Sequence, residues 1–223
     1  MKNHNKYRSV FSITLIMLFF SFYFTACSQI KSTMSGGSKD IPVEKSNLSN
    51  KGDKNKMSGD TTKYKKAIFA SGCFWGTQYY LSKGKGVIST EVGFTGGTKD
   101  NPTYKEVCTG KTGHAEATLV VYDPEQTTYE ELAKLYFETH DPTQVNRQGP
   151  DIGTQYRSEI FYLDNEQKET ANKLIDILKG KGYDVVTKVT PASTFWKAEE
   201  YHQDYYEKNN GSPYCHVYKK KFD

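Results

Sequence analysis

The spacing of apolar residues divides the 223-residue chain into three stretches. From Ser9 to Cys27 every residue is uncharged and most are Leu, Ile, Phe, Val or Met, with Lys2, His4, Lys6 and Arg8 ahead of them. A basic start followed by an apolar run is the layout of a secretory signal. From Ser28 to Lys63, Ser, Lys, Gly, Asn and Asp dominate, and no apolar period is sustained. Such a segment buries too little surface to offset the entropy of ordering it, so the pattern predicts a disordered tether. From Tyr64 onward, short apolar runs alternate with helical periods, which predicts one well-buried domain over 64–223.

Within that domain the pattern predicts strands at Ala67–Ala70, Val87–Phe94, Ala115–Tyr122, Ser158–Leu163 and Val185–Val189. Helical character runs from Thr77 to Leu81. Thr128 is placed to cap a helix from Tyr129 to about Thr139, with Leu132, Leu135 and Tyr136 on one face. Glu166–Lys179 is amphipathic, with Ala171, Leu174, Ile175 and Leu178 inward. Phe195–Lys208 reads as a further helix. Asn101–Tyr104 reads as a turn, Cys108–His114 as a Gly-containing loop, and Asn209–Asp223 as a flexible tail. Between His140 and Tyr156 lies a long Pro/Gly/Asn/Gln segment without periodicity, and loops of that length in compact domains are usually functional. Interleaved strands and helices favour an α/β (α+β) fold, a two-layer sandwich of a mixed sheet with helices. A ferredoxin-like core with long functional loops and a coil C-terminal tail is the expected form.

Charge changes the picture by being unevenly spread. Residues 1–63 hold ten Lys/Arg and four Asp/Glu, whereas the remainder holds twenty and twenty-two. The folded part is therefore slightly acidic, and a basic nucleic-acid-binding domain is unsupported. The apolar run ends in Phe24-Thr25-Ala26-Cys27 followed by Ser28 and Gln29. This resembles a bacterial lipoprotein signal, which implies a signal over 1–26, lipidation at Cys27 and a tether to residue 63. Phe24 departs from the usual aliphatic residue at that position. The rival is an uncleaved anchor, since Val10–Ala26 reaches the lower limit of a membrane span. Either way the folded part is expected outside the cytoplasm, held to a membrane of the bacterial envelope.

Candidate chemistry starts at Gly72-Cys73-Phe74-Trp75-Gly76, where a strand gives way to a helix. Unpaired N–H groups and the dipole at a helix N-terminus favour an anion, and the thiolate is the reactive form of cysteine. Cys-Phe-Trp also suits a buried core, so the pentapeptide alone leaves both readings open. Beyond Cys27 three cysteines remain, an odd number, so at least one is unpaired or cycles. No CxxC is present. Cys108, His114, Cys215 and His216 fit no standard zinc spacing, so no metal is expected. Cys215, flanked by Gly and Pro in the tail, is predicted to be exposed and able to reach a distant thiol. Glu116 opens a strand, where carboxylates are often plain surface groups, and Tyr156 closes the long loop, where a tyrosine can be core or can present its hydroxyl to a ligand.

The motifs Gly-Cys-Phe-Trp-Gly, Gly-Phe-Thr-Gly-Gly, Pro-Thr-Tyr, Gly-His-Ala-Glu, Asp-Pro-Thr-Gln, Gly-Thr-Gln-Tyr-Arg-Ser and Tyr-His-Gln-Asp-Tyr follow one another in this order. Together they closely resemble the A-type peptide methionine sulfoxide reductases, over essentially all of residues 65–217. The resemblance implies that Cys73 attacks the sulfoxide sulfur of methionine S-sulfoxide and becomes a sulfenic acid. It implies Glu116 as proton donor, with Tyr104 and Tyr156 hydrogen-bonding the sulfoxide oxygen. Phe74 and Trp75 match the positions that line the S-methyl pocket, and Asp151 matches a further substrate-site residue. Cys215 matches the resolving cysteine, and Cys108 a non-catalytic loop residue. The Cys73–Cys215 disulfide would be reduced by thioredoxin or a thioredoxin-like dithiol protein, with no bound cofactor. Oxidised proteins and peptides are the implied substrates, repaired by a monomer.

Overall fold

The computed structural model describes residues 63–223. The signal-like segment, Cys27 and the tether up to residue 62 lie outside the described residues. In chain order the elements are β1 (Lys65–Ser71), α1 (Phe74–Leu81), β2 (Val87–Thr95), α2 (Tyr104–Cys108), β3 (Ala115–Tyr122) and α3 (Tyr129–Thr139). A small hairpin of β4 (Arg147–Gln148) and β5 (Asp151–Ile152) follows, then β6 (Ser158–Tyr162), α4 (Asn165–Gly180), β7 (Lys188–Pro191), β8 (Trp196–Lys197) and α5 (Tyr205–Lys208). Among these residues no helix is long and apolar enough to cross a membrane.

The main sheet runs β7-β6-β1-β3-β2-β8. Its four middle strands, β6-β1-β3-β2, are all antiparallel neighbours. With α1 between β1 and β2 and α3 between β3 and β6, this is the ferredoxin-like β-α-β-β-α-β order. β7 extends it in parallel beyond β6, and β8 closes the other edge against β2. The sheet is therefore mixed, as expected.

β1 is central, which is why Ala67 to Ala70 is an unbroken apolar run instead of an alternating one. Ala67 and Phe69 face the helices, packed with Leu81 of α1, Leu132 and Tyr136 of α3 and Leu174 of α4. Ile68 and Ala70 face the opposite layer with Ala115, Ala117 and Phe161, covered by Ala192 and Phe195. Each large apolar side chain buried this way contributes about 1.5–3 kcal/mol. Helix α3 starts on a capping box, Thr128 accepting from Glu131 N while Glu131 accepts from Thr128 N.

Four expectations are corrected. Phe195–Lys208 is not one helix, because Trp196 and Lys197 pair with β2 and Asp204 takes a left-handed φ of 54°. The strand expected at Val185–Val189 forms later, at Lys188–Pro191, while the Val186 N–H bonds Pro142 O. Tyr104 begins a short helix on a Thr103–Glu106 capping box, not a turn, and Cys108 ends that helix. The tail has no regular element, yet it is docked. The buried Lys221 ammonium donates to Phe137 O (2.6 Å) and His140 O (2.9 Å) at the end of α3. The backbone N–H groups of Lys221 and Phe222 donate to Glu138 Oε1 (2.9 and 3.0 Å). A cation on the last carbonyls of a helix satisfies orphan acceptors and opposes the dipole.

Candidate active site

Cys73 stands at the junction where the central strand ends and α1 begins, as its N-cap. Gly72 turns the chain there with φ +105°, a conformation open to glycine, and a side chain on it would overlap Gln148. The Cys73 carbonyl accepts from Gly76 N (3.1 Å) and Thr77 N (3.2 Å), locking the first turn. Cys73 is 2% exposed and packs with Tyr156, Cys215 and Trp75.

Glu116 comes from the second residue of β3, next to Phe94 in the β2–β3 register. Its alternation with Thr118 and Val120 turns it to the helix face, beneath the start of α1. There Glu116 Oε2 accepts from the Phe74 N–H (3.1 Å), while Oε1 is buried with no hydrogen-bond partner. Burial raises this carboxyl well above the ordinary range, and the nearby Asp151 adds to the effect. A buried carboxyl so raised keeps its proton to higher pH than a free one and can offer it to an entering acceptor.

Tyr104 at the start of α2 and Tyr156 at the end of a 3-10 turn (Thr154–Tyr156) flank the same space. Both hydroxyls are held strongly protonated, first by burial and then by the Glu116 charge. They can therefore only donate or accept as neutral groups. Phe74 is fully buried, its ring beside those of Phe94 (5.8 Å) and Tyr104 (6.2 Å). Trp75 is half-buried and stacks on Tyr205 at 3.7 Å.

Asp151, from β5, is buried; Oδ1 accepts from the Tyr214 hydroxyl (3.3 Å) and Oδ2 has no partner. Burial, then the charge of Cys215, pushes its carboxyl up to about 7. One Asp151 oxygen and the sulfurs of Cys73 and Cys215 all lie within 4.8 Å of one another. Cys215 is thus not an exposed tail thiol but a buried one, 6% accessible, brought against Cys73 because the tail is docked on α3. Both thiols are free. A hydrogen bond from Cys73 to Cys215 raises the Cys73 thiol and lowers that of Cys215; burial raises both, and His216 opposes this for Cys215. The shared hydrogen bond favours the proton on Cys73 and the negative charge on Cys215.

Of the residues singled out in the sequence, Cys73, Glu116, Tyr104, Tyr156, Phe74, Trp75, Asp151 and Cys215 converge here, and Cys27 lies outside the described residues. His114 is elsewhere, its ring nitrogens engaged by Gly97 N (3.1 Å) and Lys99 O (2.7 Å). His202 was not anticipated. Its Nδ1 accepts from the Trp75 indole N–H (3.1 Å), fixing the ring plane, and burial lowers it to about 4. The Tyr-His-Gln-Asp-Tyr motif carried that signal, but a histidine inside an expected helix gave no reason to pair it with Trp75. Glu199 Oε1, also unanticipated, accepts from Tyr104 N (3.1 Å).

Two touching thiols beside a carboxyl able to donate a proton define a two-cysteine thiol oxidoreductase, a class that works through sulfenic acid and disulfide states. Residues 65–223 match the family described as Peptide methionine sulfoxide reductase. The chain belongs to that family, and its activity is the reduction of methionine sulfoxide. It is 53% identical over 150 residues to the peptide methionine sulfoxide reductase MsrA of Nautilia profundicola, covering 67% of this chain and 87% of that protein. To the MsrA of Deinococcus radiodurans it is 52% identical over 152 residues, covering 67% and 74%. In structure it is similar to Mxr1 from Saccharomyces cerevisiae in reduced form, with TM-score 0.67 and 37% identity over 74% of this chain and 97% of that one. It is also similar to Mxr1 in complex with Trx2, with TM-score 0.51 and 25% identity over 74% and 96%.

Proposed function

We propose that Cys73 is the nucleophile, Glu116 the proton donor and Cys215 the resolving thiol in the reduction of methionine S-sulfoxide in peptides and proteins. The observation that carries this reading is the unpartnered Glu116 Oε1 beside the buried Cys73, an acid with a vacant place for one oxygen atom. As Cys73 Sγ attacks the sulfoxide sulfur, Glu116 protonates the oxygen. The Cys73 thiol proton passes to the Cys215 sulfur, to which it is already hydrogen-bonded. Methionine leaves and Cys73 carries S–OH. Tyr104 and Tyr156 hold the oxygen, Phe74 and Trp75 receive the methyl group, and Asp151 borders the site. Attack by Cys215 then gives the Cys73–Cys215 disulfide and water, and a thioredoxin-like dithiol protein returns both thiols. The Trx2 complex of the related Mxr1 supports that choice of donor.

Cys73→Ser is expected to abolish release of methionine from a methionine S-sulfoxide peptide, followed by amino-acid analysis; appreciable residual turnover would overturn the assignment. The setting we propose is the extracytoplasmic side of a bacterial membrane, with the monomeric domain held by a lipid on Cys27. The basic and apolar leader and the cysteine after Ala26 support it. Mass spectrometry of the mature N-terminus tests it: an acylated Cys27 is expected, and an intact Met1 would overturn it.

A further inference from the structure

The residue after the resolving thiol is a histidine, and nothing in the chemistry above uses it. His216 is 1% exposed, and its Nδ1 lies 3.1 Å from Cys215 Sγ. Its other nitrogen, Nε2, lies 3.4 Å from both Ser71 Oγ and Thr77 Oγ1. Those two hydroxyls are only 2.7 Å apart, and Thr77 spends its hydrogen on the Cys73 carbonyl (3.3 Å). Ser71 therefore donates to Thr77, both oxygens turn lone pairs to the ring, and Nε2 carries the imidazole hydrogen. Nδ1 is thus the nitrogen that faces the Cys215 sulfur, placed to take a proton from it. The signature pentapeptide makes room for this ring: a methyl group on Gly76 would overlap His216 Nδ1.

We infer that His216 is the general base of the resolving step, taking the Cys215 proton so that the Cys215 sulfur can attack the Cys73 sulfenic acid. The need for a base follows from the first half-reaction, on which this inference rests. There Cys215 takes up the proton that Cys73 gives away, so it enters the second half-reaction as a thiol, the unreactive form. His216 Nδ1 takes that proton. The S–S bond forms as the Cys73 S–O bond breaks, and the leaving hydroxide receives the proton from His216 as water. Cys73 falls from the sulfenic to the disulfide level, Cys215 rises to it, and His216 ends neutral. The titratable groups near the ring are Cys215, Asp151 and His140. Ser71 and Thr77 add neutral hydroxyls, and Tyr80 reaches the His216 carbonyl (3.5 Å).

The test is rapid mixing of the reduced enzyme with one equivalent of a methionine S-sulfoxide peptide, followed by acid quench. Methionine release and Cys73–Cys215 disulfide are then quantified by mass spectrometry. In His216→Asn, which keeps a hydrogen-bonding atom near Nδ1 but cannot take a proton, the ratio of disulfide rate to methionine rate is expected to fall at least about tenfold. A dimedone adduct of Cys73 should accumulate, and the slow disulfide rate should climb with pH as thiolate fraction does. Gly76→Ala, which displaces the ring and leaves its chemistry intact, should lower the same ratio. An unchanged ratio in a folded His216→Asn enzyme would overturn the inference while leaving the Cys73–Cys215 reading in place. Absence of any such disulfide in the wild type would overturn both.

Discussion

Cys73 and Cys215 touch, but the chain delivers them by opposite means. Cys73 is carried by the most regular part of the domain, the end of the central strand and the first turn of α1. Cys215 sits in a tail without regular structure, held by the Lys221 anchor and by contacts of its own neighbours. Their electrostatic settings differ as well. Cys73 lies near the Glu116 carboxyl, Asp151 borders both sulfurs, and Cys215 has the His216 imidazole at 3.1 Å; the hydrogen bond between the two sulfurs raises the Cys73 thiol and lowers that of Cys215. The difference teaches how one pocket performs two half-reactions. In the mechanism we propose, the acidic half stores the proton that an oxygen atom will need, and the basic half clears a proton from the sulfur that must act next.

The comparison breaks most visibly on the acidic side. Glu116→Gln should slow methionine release by about 10²–10⁴-fold, because a neutral amide fills the space without donating an acidic proton. The wild-type rate should fall as pH rises through the elevated Glu116 value, since the acid works only while protonated. The Gln variant should lose that fall, and stopped-flow rates against pH decide the matter. On the basic side, Cys215→Ser should still release one methionine per enzyme but fail to turn over with a dithiol reductant. Sustained turnover would show that another route clears the sulfenic acid.

Smaller effects sharpen the contrast between scaffold and strap. Lys221→Met removes the cation from two carbonyl acceptors at the end of α3 and should cost about 1–3 kcal/mol in urea unfolding, while slowing disulfide closure more than methionine release. Thr128→Ala removes one side of the α3 capping box and should cost about 1 kcal/mol with activity retained. If Lys221→Met slowed both half-reactions equally, the strap would be part of the scaffold and the contrast would fail.

What could be read from the chain follows the same division. β3 and α3 were legible to the residue because alternation, an apolar face and Thr128 all agree locally. The Thr103–Glu106 capping box was equally visible, but a five-residue helix is too short to show a period. Phe195–Lys208 misled because its aromatic and charged spacing fits a helix. Long-range bonds override it, with Gln203 donating to Val92 O and accepting from Val92 N (both 2.9 Å). Cys215 looked exposed because Gly211, Ser212 and Pro213 precede it. Its burial depends on Lys221 and Glu138, partners 83 residues apart, which no local pattern reveals.

The anchor at Lys221 also sets a concentration. In an unstructured chain the sulfurs of Cys73 and Cys215 would meet only by closing a very long loop, and Cys215 would compete poorly with any small thiol nearby. Fixed upstream at the buried Tyr206 and downstream at Lys221, the strap confines Cys215 to a short leash above Cys73. Its effective concentration there is of the order of millimolar or higher, as for other short intramolecular tethers. In the proposed mechanism a newly formed sulfenic acid is therefore consumed from within before a second oxidant can carry it to the sulfinic level, from which these thiols could not return. The docked tail is in this sense the enzyme's protection against the oxidants whose damage it repairs.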